Sequence, residues 1–267
     1  MELLVRGRRE PDPEGHVLSV TAEQAGWRYV SFAAMRLHPR ERRTWTFSGR
    51  EACVVLLEGR CVMRAGGKTL DASDGRASPF AGPAHVLYVP PGIGFTAEAL
   101  DGPVDLAIGS APATVGRAVR AFTPSEARVE TRGSGRTERR VHHLLMEDRD
   151  AERLLVTEVV TPAGHWSSYP PHKHDTDDPP RETQLEETYY YRLRDARRGF
   201  ALQRVYTADR SLDESVAAGD GDLVLVPRGF HTVSAAPGYE VYYLNVMAGP
   251  RREWKVTFDP DHERLRG

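Results

Sequence analysis

The chain has 267 residues, of which 40% are hydrophobic and 28% are charged, and its formal charge at pH 7 is -2. These values are typical of a globular protein with one large domain or two smaller ones, and they exclude disordered, collagenous and nucleic-acid-binding chains. The longest apolar run, residues 52–57, is too short for a membrane helix, the amino terminus lacks a secretory signal, and two cysteines cannot form a disulfide framework, so we expect a cytoplasmic protein.

Short segments rich in β-branched and aromatic residues recur along the chain. In chain order they are residues 52–57, 86–89, 154–160, 187–192, 223–226 and 240–246. Gly, Pro, Asp or Ser bounds each segment, which is typical of strands separated by turns. We therefore predict an all-β protein.

Two parts of the sequence repeat at nearly the same offset. Residues 86–96 align with residues 223–233, so that Pro90 matches Pro227, and Glu51 similarly matches Glu187. An internal repeat of this kind indicates two copies of one structural unit. We predict two β domains, residues 1–120 and residues 136–267, joined by a linker at residues 121–135.

The second copy carries the side chains that suggest a metal site. His172 and His174 are two residues apart on a predicted strand, so both face the same side of the sheet. Glu187 begins the next strand, and a Pro-x-Gly turn returns the chain so that His231 enters from a neighbouring strand. Three imidazoles and a carboxylate suit a divalent transition metal ion such as zinc, manganese, iron, nickel or cobalt.

The carboxylate ligand has three competitors. Glu186, Glu182 and Asp175 lie in the acidic, proline-rich stretch that precedes Glu187. We prefer Glu187 because it begins an apolar strand in the register of Glu51 of the first copy. Glu186 would then face the opposite side of the sheet.

The first copy is predicted to lack a metal. No His-x-His pair precedes Glu51, and Gly94 stands at the position that corresponds to His231. We therefore expect changes at Glu51 or Gly94 to affect stability and to leave the metal content unchanged.

The two histidine-bearing elements, residues 172–187 and 221–231, resemble the paired motifs of the cupin superfamily, whose fold is a small metal-holding β-barrel. Residues 169–175, 185–192 and 236–254 more closely resemble the 5-deoxy-glucuronate isomerases of bacterial myo-inositol catabolism, which are double cupins. In that family a long gap between His174 and Glu187 is usual. The resemblance implies a bicupin of two tandem cupin-type β-barrels (jelly rolls), with a degenerate amino-terminal copy and a catalytic carboxy-terminal one.

The resemblance also implies an activity, that of a metal-dependent intramolecular aldose–ketose isomerase. This enzyme converts 5-deoxy-D-glucuronate to 5-dehydro-2-deoxy-D-gluconate, and a metal suits the reaction because it stabilises the negative charge of an enediolate. We expect Tyr189, Tyr191 and Tyr243 on the pocket wall. We expect Arg228 to lie near the substrate carboxylate. The catalytic base stays unassigned.

Other functions remain open from the sequence alone. A cupin dioxygenase would use iron and oxygen at the same ligands, and a non-catalytic cupin would bind a sugar without turnover. The related 5-keto-4-deoxyuronate isomerase acts on a pectin-derived sugar, but the double repeat and the run at residues 242–250 favour the inositol route. The expected partner is a small sugar acid, with no nucleic acid or membrane, and a homo-oligomer is left open.

Overall fold

The computed structural model of the protein describes residues 2–265. Nearly all regular structure in this range is β-strand, and its helices are short 3-10 turns at Pro124–Glu126, Gly135–Thr137 and Pro260–Leu265. The all-β prediction is thus confirmed. None of the helices in the described range has the length and apolar character needed to cross a membrane.

The strands follow one another through the whole described range. In its first part they are β1 (Leu4–Val5), β2 (His16–Val20), β3 (Ser31–Leu37), β4 (Arg42–Thr46), β5 (Arg50–Ala65), β6 (Lys68–Arg76), β7 (Val86–Val89), β8 (Gly94–Ala99), β9 (Val104–Pro112), β10 (Arg120–Phe122) and β11 (Arg128–Arg132). In its second part they are β12 (Arg139–Leu145), β13 (Leu155–Thr161), β14 (Trp166–Lys173), β15 (Glu186–Leu193), β16 (Ala201–Tyr206), β17 (Asp213–Ala218), β18 (Leu223–Val226), β19 (Phe230–Ala235), β20 (Val241–Ala248) and β21 (Thr257–Phe258). The segments predicted from the sequence coincide with β5, β7, β13, β15, β18 and β20, to within two residues at their starts.

Contacts within the chain group the described residues into two compact units. The N-terminal unit comprises Arg8–Arg128 and His143–Val156, and the C-terminal unit comprises the segment before Arg8, Val129–His142 and the segment from Thr157 onward. Each unit is built from separate segments of the sequence, whereas the predicted domains 1–120 and 136–267 are each one continuous segment. The difference arises because β1 pairs with β18 and because part of the predicted linker forms β11. The domain boundaries themselves stay a prediction.

In the N-terminal unit, β5 is a long strand that pairs with four other strands. Its first half pairs with β7 and β9, and its second half pairs with β6 and β8. Irregularities in its pairing separate the two halves, and Gly59 lies there with a φ of 102°. A Cβ at this position would meet the carbonyl oxygen of Pro103 at 2.4 Å, so the bend requires glycine.

In the C-terminal unit, two sheets enclose a hydrophobic core. One sheet has the strand order β1-β18-β15-β20-β13-β12-β11, and the other has the order β17-β16-β19-β14-β21. Tyr189 and Tyr243 enter the core from the first sheet, and Val205 and Val233 enter it from the second. Neither sheet closes on itself, because each ends in edge strands. The unit is a pair of open sheets packed face to face, which is the jelly-roll form of the predicted cupin-type barrel.

The two units share a pattern of strand pairing. In the N-terminal unit β5 pairs with β7 and β9, as β15 pairs with β18 and β20 in the C-terminal unit. Likewise β4 pairs with β8 as β14 pairs with β19. The second half of β5 corresponds to β16, since it pairs with β8 as β16 pairs with β19.

Candidate metal centre

His172 and His174 come from the end of β14. The register between β14 and β19 shifts just before His172, in a stretch that contains Pro170 and Pro171. Proline has no N–H to donate to a neighbouring strand, so regular pairing is interrupted there. After the irregularity His172 lies directly opposite His231. His174, two residues further on, faces the same side.

Gly229 forms the turn that leads into His231. Its φ is 87°, and a Cβ would meet the carbonyl oxygen of Tyr206 at 2.4 Å, so glycine is required. Its N–H donates to the Asp175 carboxylate at 2.7 Å, and its carbonyl oxygen accepts from Nδ1 of His231 at 3.2 Å. The turn therefore fixes the orientation of the His231 ring.

Three imidazoles and one carboxylate converge between the two sheets of the C-terminal unit. The ring centroids of His172 and His231 are 4.6 Å apart, and those of His174 and His231 are 5.1 Å apart. Glu187, from β15 in the facing sheet, brings Oε2 to 3.1 Å from Nε2 of both His174 and His231. One ring nitrogen from each histidine lies within 4.8 Å of the others, and all four side chains are buried.

The hydrogen bonds of this cluster leave lone pairs for a cation. In their neutral forms His174 and His231 donate from Nδ1 to the carbonyl oxygens of Leu185 and Gly229, and each then keeps a lone pair on Nε2. Burial would lower the pKa of His174, but the neighbouring Glu187 carboxylate raises it, so a cation would displace a proton there. Within residues 2–265, Nε2 of His231 is buried and forms no well-aligned hydrogen bond, although Oε2 of Glu187 lies 3.1 Å away. A divalent cation satisfies such an atom beside other imidazoles and a carboxylate. The residues therefore fit a metal centre.

The electrostatics of the cluster also suit a cation. Burial, together with the neighbouring His231 and His174, holds the pKa of His172 well below its ordinary value, so this ring is neutral. Burial would raise the pKa of Glu187, but the adjacent imidazoles of His174 and His231 outweigh it and lower that pKa. The cluster thus combines an ionised carboxylate with a neutral imidazole, which are the protonation states that bind metals.

The competing carboxylates are engaged elsewhere. Both oxygens of Glu182 accept from Nζ of Lys173, at 2.8 and 3.0 Å, and Oε1 also accepts from two backbone N–H groups. Asp175 accepts from the same ammonium group at 2.6 Å. Glu186 precedes Glu187 on β15, and alternation turns it toward the other face. The geometry thus favours Glu187 as the fourth ligand.

The sequence alignment that matched Glu51 of the first copy with Glu187 of the second is wrong by one residue. Ala52 and Glu187 each pair with the valine that precedes the repeated proline, so Ala52, rather than Glu51, corresponds to Glu187. Ala52 belongs to the core of the N-terminal unit. Glu51 faces the other side of its sheet, where it accepts hydrogen bonds from the Tyr88 hydroxyl at 2.6 Å and from the backbone N–H groups of residues 152–154. Glu51 is therefore a buried structural carboxylate.

Aromatic rings occupy the corresponding position in the N-terminal unit. Trp45 pairs with Phe95 across β4 and β8, as His172 pairs with His231 across β14 and β19. Phe95, rather than Gly94, therefore corresponds to His231, which corrects the alignment made from the sequence. The Trp45 and Phe95 rings stack with centroids 4.9 Å apart and offer no ligand lone pairs.

Two of the predicted substrate-binding tyrosines lie beside the histidines. The Ser168 hydroxyl oxygen is 3.0 Å from the Tyr189 hydroxyl and 3.4 Å from the Tyr243 hydroxyl. The Tyr189 ring centroid is 5.8 Å from that of His231. Burial raises the pKa of both tyrosines, so their hydroxyls act as hydrogen-bond donors rather than as bases.

The other two predicted substrate-binding residues lie elsewhere. The hydroxyl of Tyr191 donates to Oε1 of Gln203 at 2.7 Å within the buried core. Arg228 is exposed in the turn before β19. It is absent from the described residues that line the cleft beside His172. Tyr191 and Arg228 do not line this cleft, and their roles stay predictions.

A cleft of about 520 Å³ opens beside His172. Pairing of β21 with β14 sets Phe258 opposite His172, and the Trp254 ring centroid is 6.3 Å from that of His172. Arg132 and Arg139 also line the cleft. Neither arginine could be singled out from the sequence, because nothing in their local pattern separates them from the many other arginines. The volume lies within the range of about 300–1,000 Å³ typical of small-molecule sites.

The fold and the site together define a double cupin-type protein with a candidate metal centre in its C-terminal unit. In fold it is similar to the oxalate decarboxylase of Bacillus subtilis, with a TM-score of 0.64 at 12% sequence identity, over 96% of this chain and 79% of that chain. The chain belongs to the KduI/IolB family, which it matches over residues 3–265. This membership confirms the resemblance seen in the sequence.

Named relatives cover nearly the whole chain. It is 46% identical to the 5-deoxy-glucuronate isomerase of Geobacillus kaustophilus over 264 residues, which are 98% of this chain and 95% of that protein. It is 41% identical to the 5-deoxy-glucuronate isomerase of Halalkalibacterium halodurans over 266 residues, 98% of each. The crystal structure of an IolB-like protein from Salmonella typhimurium is 41% identical, has a TM-score of 0.95, and covers 100% of both chains.

Proposed function

We propose that this chain isomerises the aldose 5-deoxy-D-glucuronate to the ketose 5-dehydro-2-deoxy-D-gluconate in the myo-inositol catabolism of a bacterial cytoplasm. The relatives described above are named for action on this substrate. The observation that carries the proposal is the buried convergence of His172, His174, His231 and Glu187 beside a cleft with basic residues in its wall.

A divalent first-row ion is proposed as the cofactor, with zinc, manganese, iron, nickel and cobalt as candidates. When bound, it would polarise a carbonyl oxygen and stabilise negative charge that develops on the substrate oxygens. The three histidines and Glu187 would hold it. The negative charge of Glu187 would offset part of the charge of a bound cation and so reduce its Lewis acidity.

The remaining residues of the site bind and orient the sugar. The hydroxyls of Tyr189 and Tyr243, linked through Ser168, are proposed to donate hydrogen bonds to substrate oxygens. Tyr191 and Arg228 are further candidates for contact with the sugar acid. The expected ligand is this small acid, and a homo-oligomer remains a prediction to be checked by light scattering.

An anaerobic NMR assay tests this proposal. Protein stripped with a chelator is reloaded with one cation at a time and incubated with 5-deoxy-D-glucuronate, and the aldehyde and ketone signals are followed. We expect interconversion only when a cation is bound, and we expect it to proceed in the absence of oxygen. A requirement for oxygen would instead indicate a cupin dioxygenase. Saturable binding without turnover would indicate a binding protein.

A second substrate separates the two related isomerases. The pectin-derived 5-keto-4-deoxyuronate is assayed under the same conditions with the same cations. We expect slower turnover of this sugar than of 5-deoxy-D-glucuronate. The reverse order would assign the chain to the other activity.

A further inference from the structure

A sugar acid carries its carboxylate at the end of the carbon chain opposite the aldehyde. If the aldehyde end lies at the histidines, the carboxylate lies further along the cleft, where a cation is needed to replace its hydration. Arginine is the usual partner, because its planar fork donates two parallel hydrogen bonds to a carboxylate. Arg132 and Arg139 are the arginines among the described residues that line this cleft.

Arg132 is already paired within the protein. Its Nε atom lies 3.1 Å from Oε1 of Glu130, and one of its terminal nitrogens donates to Oε2 at 3.1 Å. Its guanidinium carbon also lies 4.9 Å from the centroid of the Trp254 ring. A substrate carboxylate placed here would meet the negative charge of Glu130. Arg132 therefore serves as part of the cleft wall.

Arg139 differs in its partners. Its terminal nitrogens donate to the carbonyl oxygens of Thr137 at 2.9 Å and Tyr169 at 3.4 Å, and within residues 2–265 it forms no ion pair. These contacts use two of the five N–H donors of a guanidinium and fix the plane of the fork. Burial lowers the pKa of Arg139, yet an arginine stays charged at neutral pH. A half-buried cation that forms no ion pair among the described residues thus borders the cleft, with Glu130 of the same wall paired to Arg132.

We propose that Arg139 binds the carboxylate of the sugar acid and so selects a sugar acid over a neutral sugar, an assignment that rests on the proposed function. It takes the role that the sequence analysis gave to Arg228. Arg139 begins β12, and its bond to the carbonyl of Tyr169 ties it to β14, the strand that carries His172. Arg139 is therefore bonded directly to the strand that carries one of the proposed metal ligands.

A substrate comparison tests this role. Arg139→Gln and Arg139→Lys are compared with Arg140→Gln, a control at the exposed next residue of β12. Each is assayed with 5-deoxy-D-glucuronate and with 5-deoxy-D-glucose, which has a CH2OH group in place of the carboxylate. For Arg139→Gln we expect kcat/KM for the acid to fall about 30-fold, mostly through KM, because a charge-assisted hydrogen bond is lost. The value for the neutral sugar should not change.

The other variants complete the test. Arg139→Lys should recover part of the loss, since it restores the charge without the fork. Arg140→Gln should match the wild type. An equal loss for the acid and the neutral sugar in Arg139→Gln would overturn the assignment, as would a selective loss for the acid in Arg132→Gln instead. If Arg139→Gln fails to fold, Arg139→Lys must still lose activity with the acid alone.

A binding measurement separates this inference from the proposed function. Reduction of the aldehyde of 5-deoxy-D-glucuronate gives a sugar acid that cannot isomerise, and calorimetry measures its affinity for the metal-loaded protein. We expect Arg139→Gln to weaken this affinity while its melting temperature and bound metal stay unchanged. Absence of turnover in the wild type, with this affinity difference intact, would reject the isomerase and keep the carboxylate site. Turnover by the wild type, together with an unaltered affinity in Arg139→Gln, would support the isomerase and reject the carboxylate site at Arg139.

Discussion

Trp45 lies directly opposite Phe95 across β4 and β8, with ring centroids 4.9 Å apart and an angle of 20° between the ring planes. The same pair of positions carries His172 and His231 in the C-terminal unit. The two units therefore share a strand pattern and differ in what fills it. One packs an aromatic stack where the other gathers potential metal ligands.

Substitution of Phe95 should affect stability alone. Phe95 is fully buried, so Phe95→Ala should lower the free energy of unfolding by about 3–5 kcal/mol through lost packing and the cavity left behind. Urea denaturation measures this change, and elemental analysis of the folded variant should find the wild-type metal content. Glu51→Gln provides a second test in the same unit. A loss of metal from either variant would mean that the N-terminal unit holds a site of its own.

Removal of a histidine from the cluster should remove metal and activity together. The loss of an outer-shell partner already weakens metal binding about 10- to 100-fold, so we expect at least this effect from His174→Ala and His231→Ala. Elemental analysis after dialysis and the NMR assay measure the two quantities. His165→Ala is the control, because His165 bonds to the carbonyl oxygen of Glu138 and lies outside the cluster. Full metal occupancy in both cluster variants would contradict the site.

Adjacent carboxylates on β15 give a matched pair of variants. Glu187→Gln keeps the shape of the side chain and removes its charge beside His174 and His231, so we expect weaker metal binding. Glu186→Gln changes the neighbouring residue on the other face of the strand and should bind metal as the wild type does. Competition with a chromogenic chelator measures both affinities. The opposite ranking would mean that Glu186 is the ligand.

Asp175 should contribute a stability that depends on pH. Burial would raise its pKa, but hydrogen bonds from Lys173 and from the N–H of Gly229 outweigh burial and lower that pKa below 3.8. Because the folded-state pKa lies below the unfolded one, the ionised group stabilises the fold fully above the unfolded pKa, and this contribution is lost as the pH falls through the folded value.

Asp175→Asn should therefore lower the free energy of unfolding by about 1–2 kcal/mol at neutral pH. The difference from the wild type should shrink only in the acid range below the ordinary carboxyl pKa. Urea denaturation of both proteins at a series of pH values checks this. A difference that is constant down into that range would show that the carboxylate charge does not matter.

The strands and the clustering of the proposed metal ligands could be predicted because both depend on local alternation. His172 and His174 share a face for the same reason that the apolar residues of β15 do. The sequence alignment of the two copies was wrong by one residue at Glu51 and at Gly94, because Ala52 and Phe95 are the residues that correspond to Glu187 and His231. Bulges and loops of unequal length shift the offset from strand to strand, and a one-residue slip reverses the face of a side chain.

Arg139 could not be found from the sequence for a different reason. It lies far from His172 along the chain, and only the folded structure brings its guanidinium to the carbonyl oxygen of Tyr169 on the strand of His172. Arg228 looked better placed because it precedes His231 by only a few residues. Proximity in sequence did not translate into proximity to the cleft, because the turn at Gly229 leaves Arg228 exposed.

Glu187, the proposed fourth ligand, comes from a different sheet than the three imidazoles. An ion held by all four side chains would act as a cross-link between the two faces of the sandwich, and unfolding would have to release it. The midpoint of thermal unfolding should then climb with the logarithm of free cation concentration. Thermal unfolding midpoints measured with each cation in turn would therefore rank the metals by affinity without any substrate.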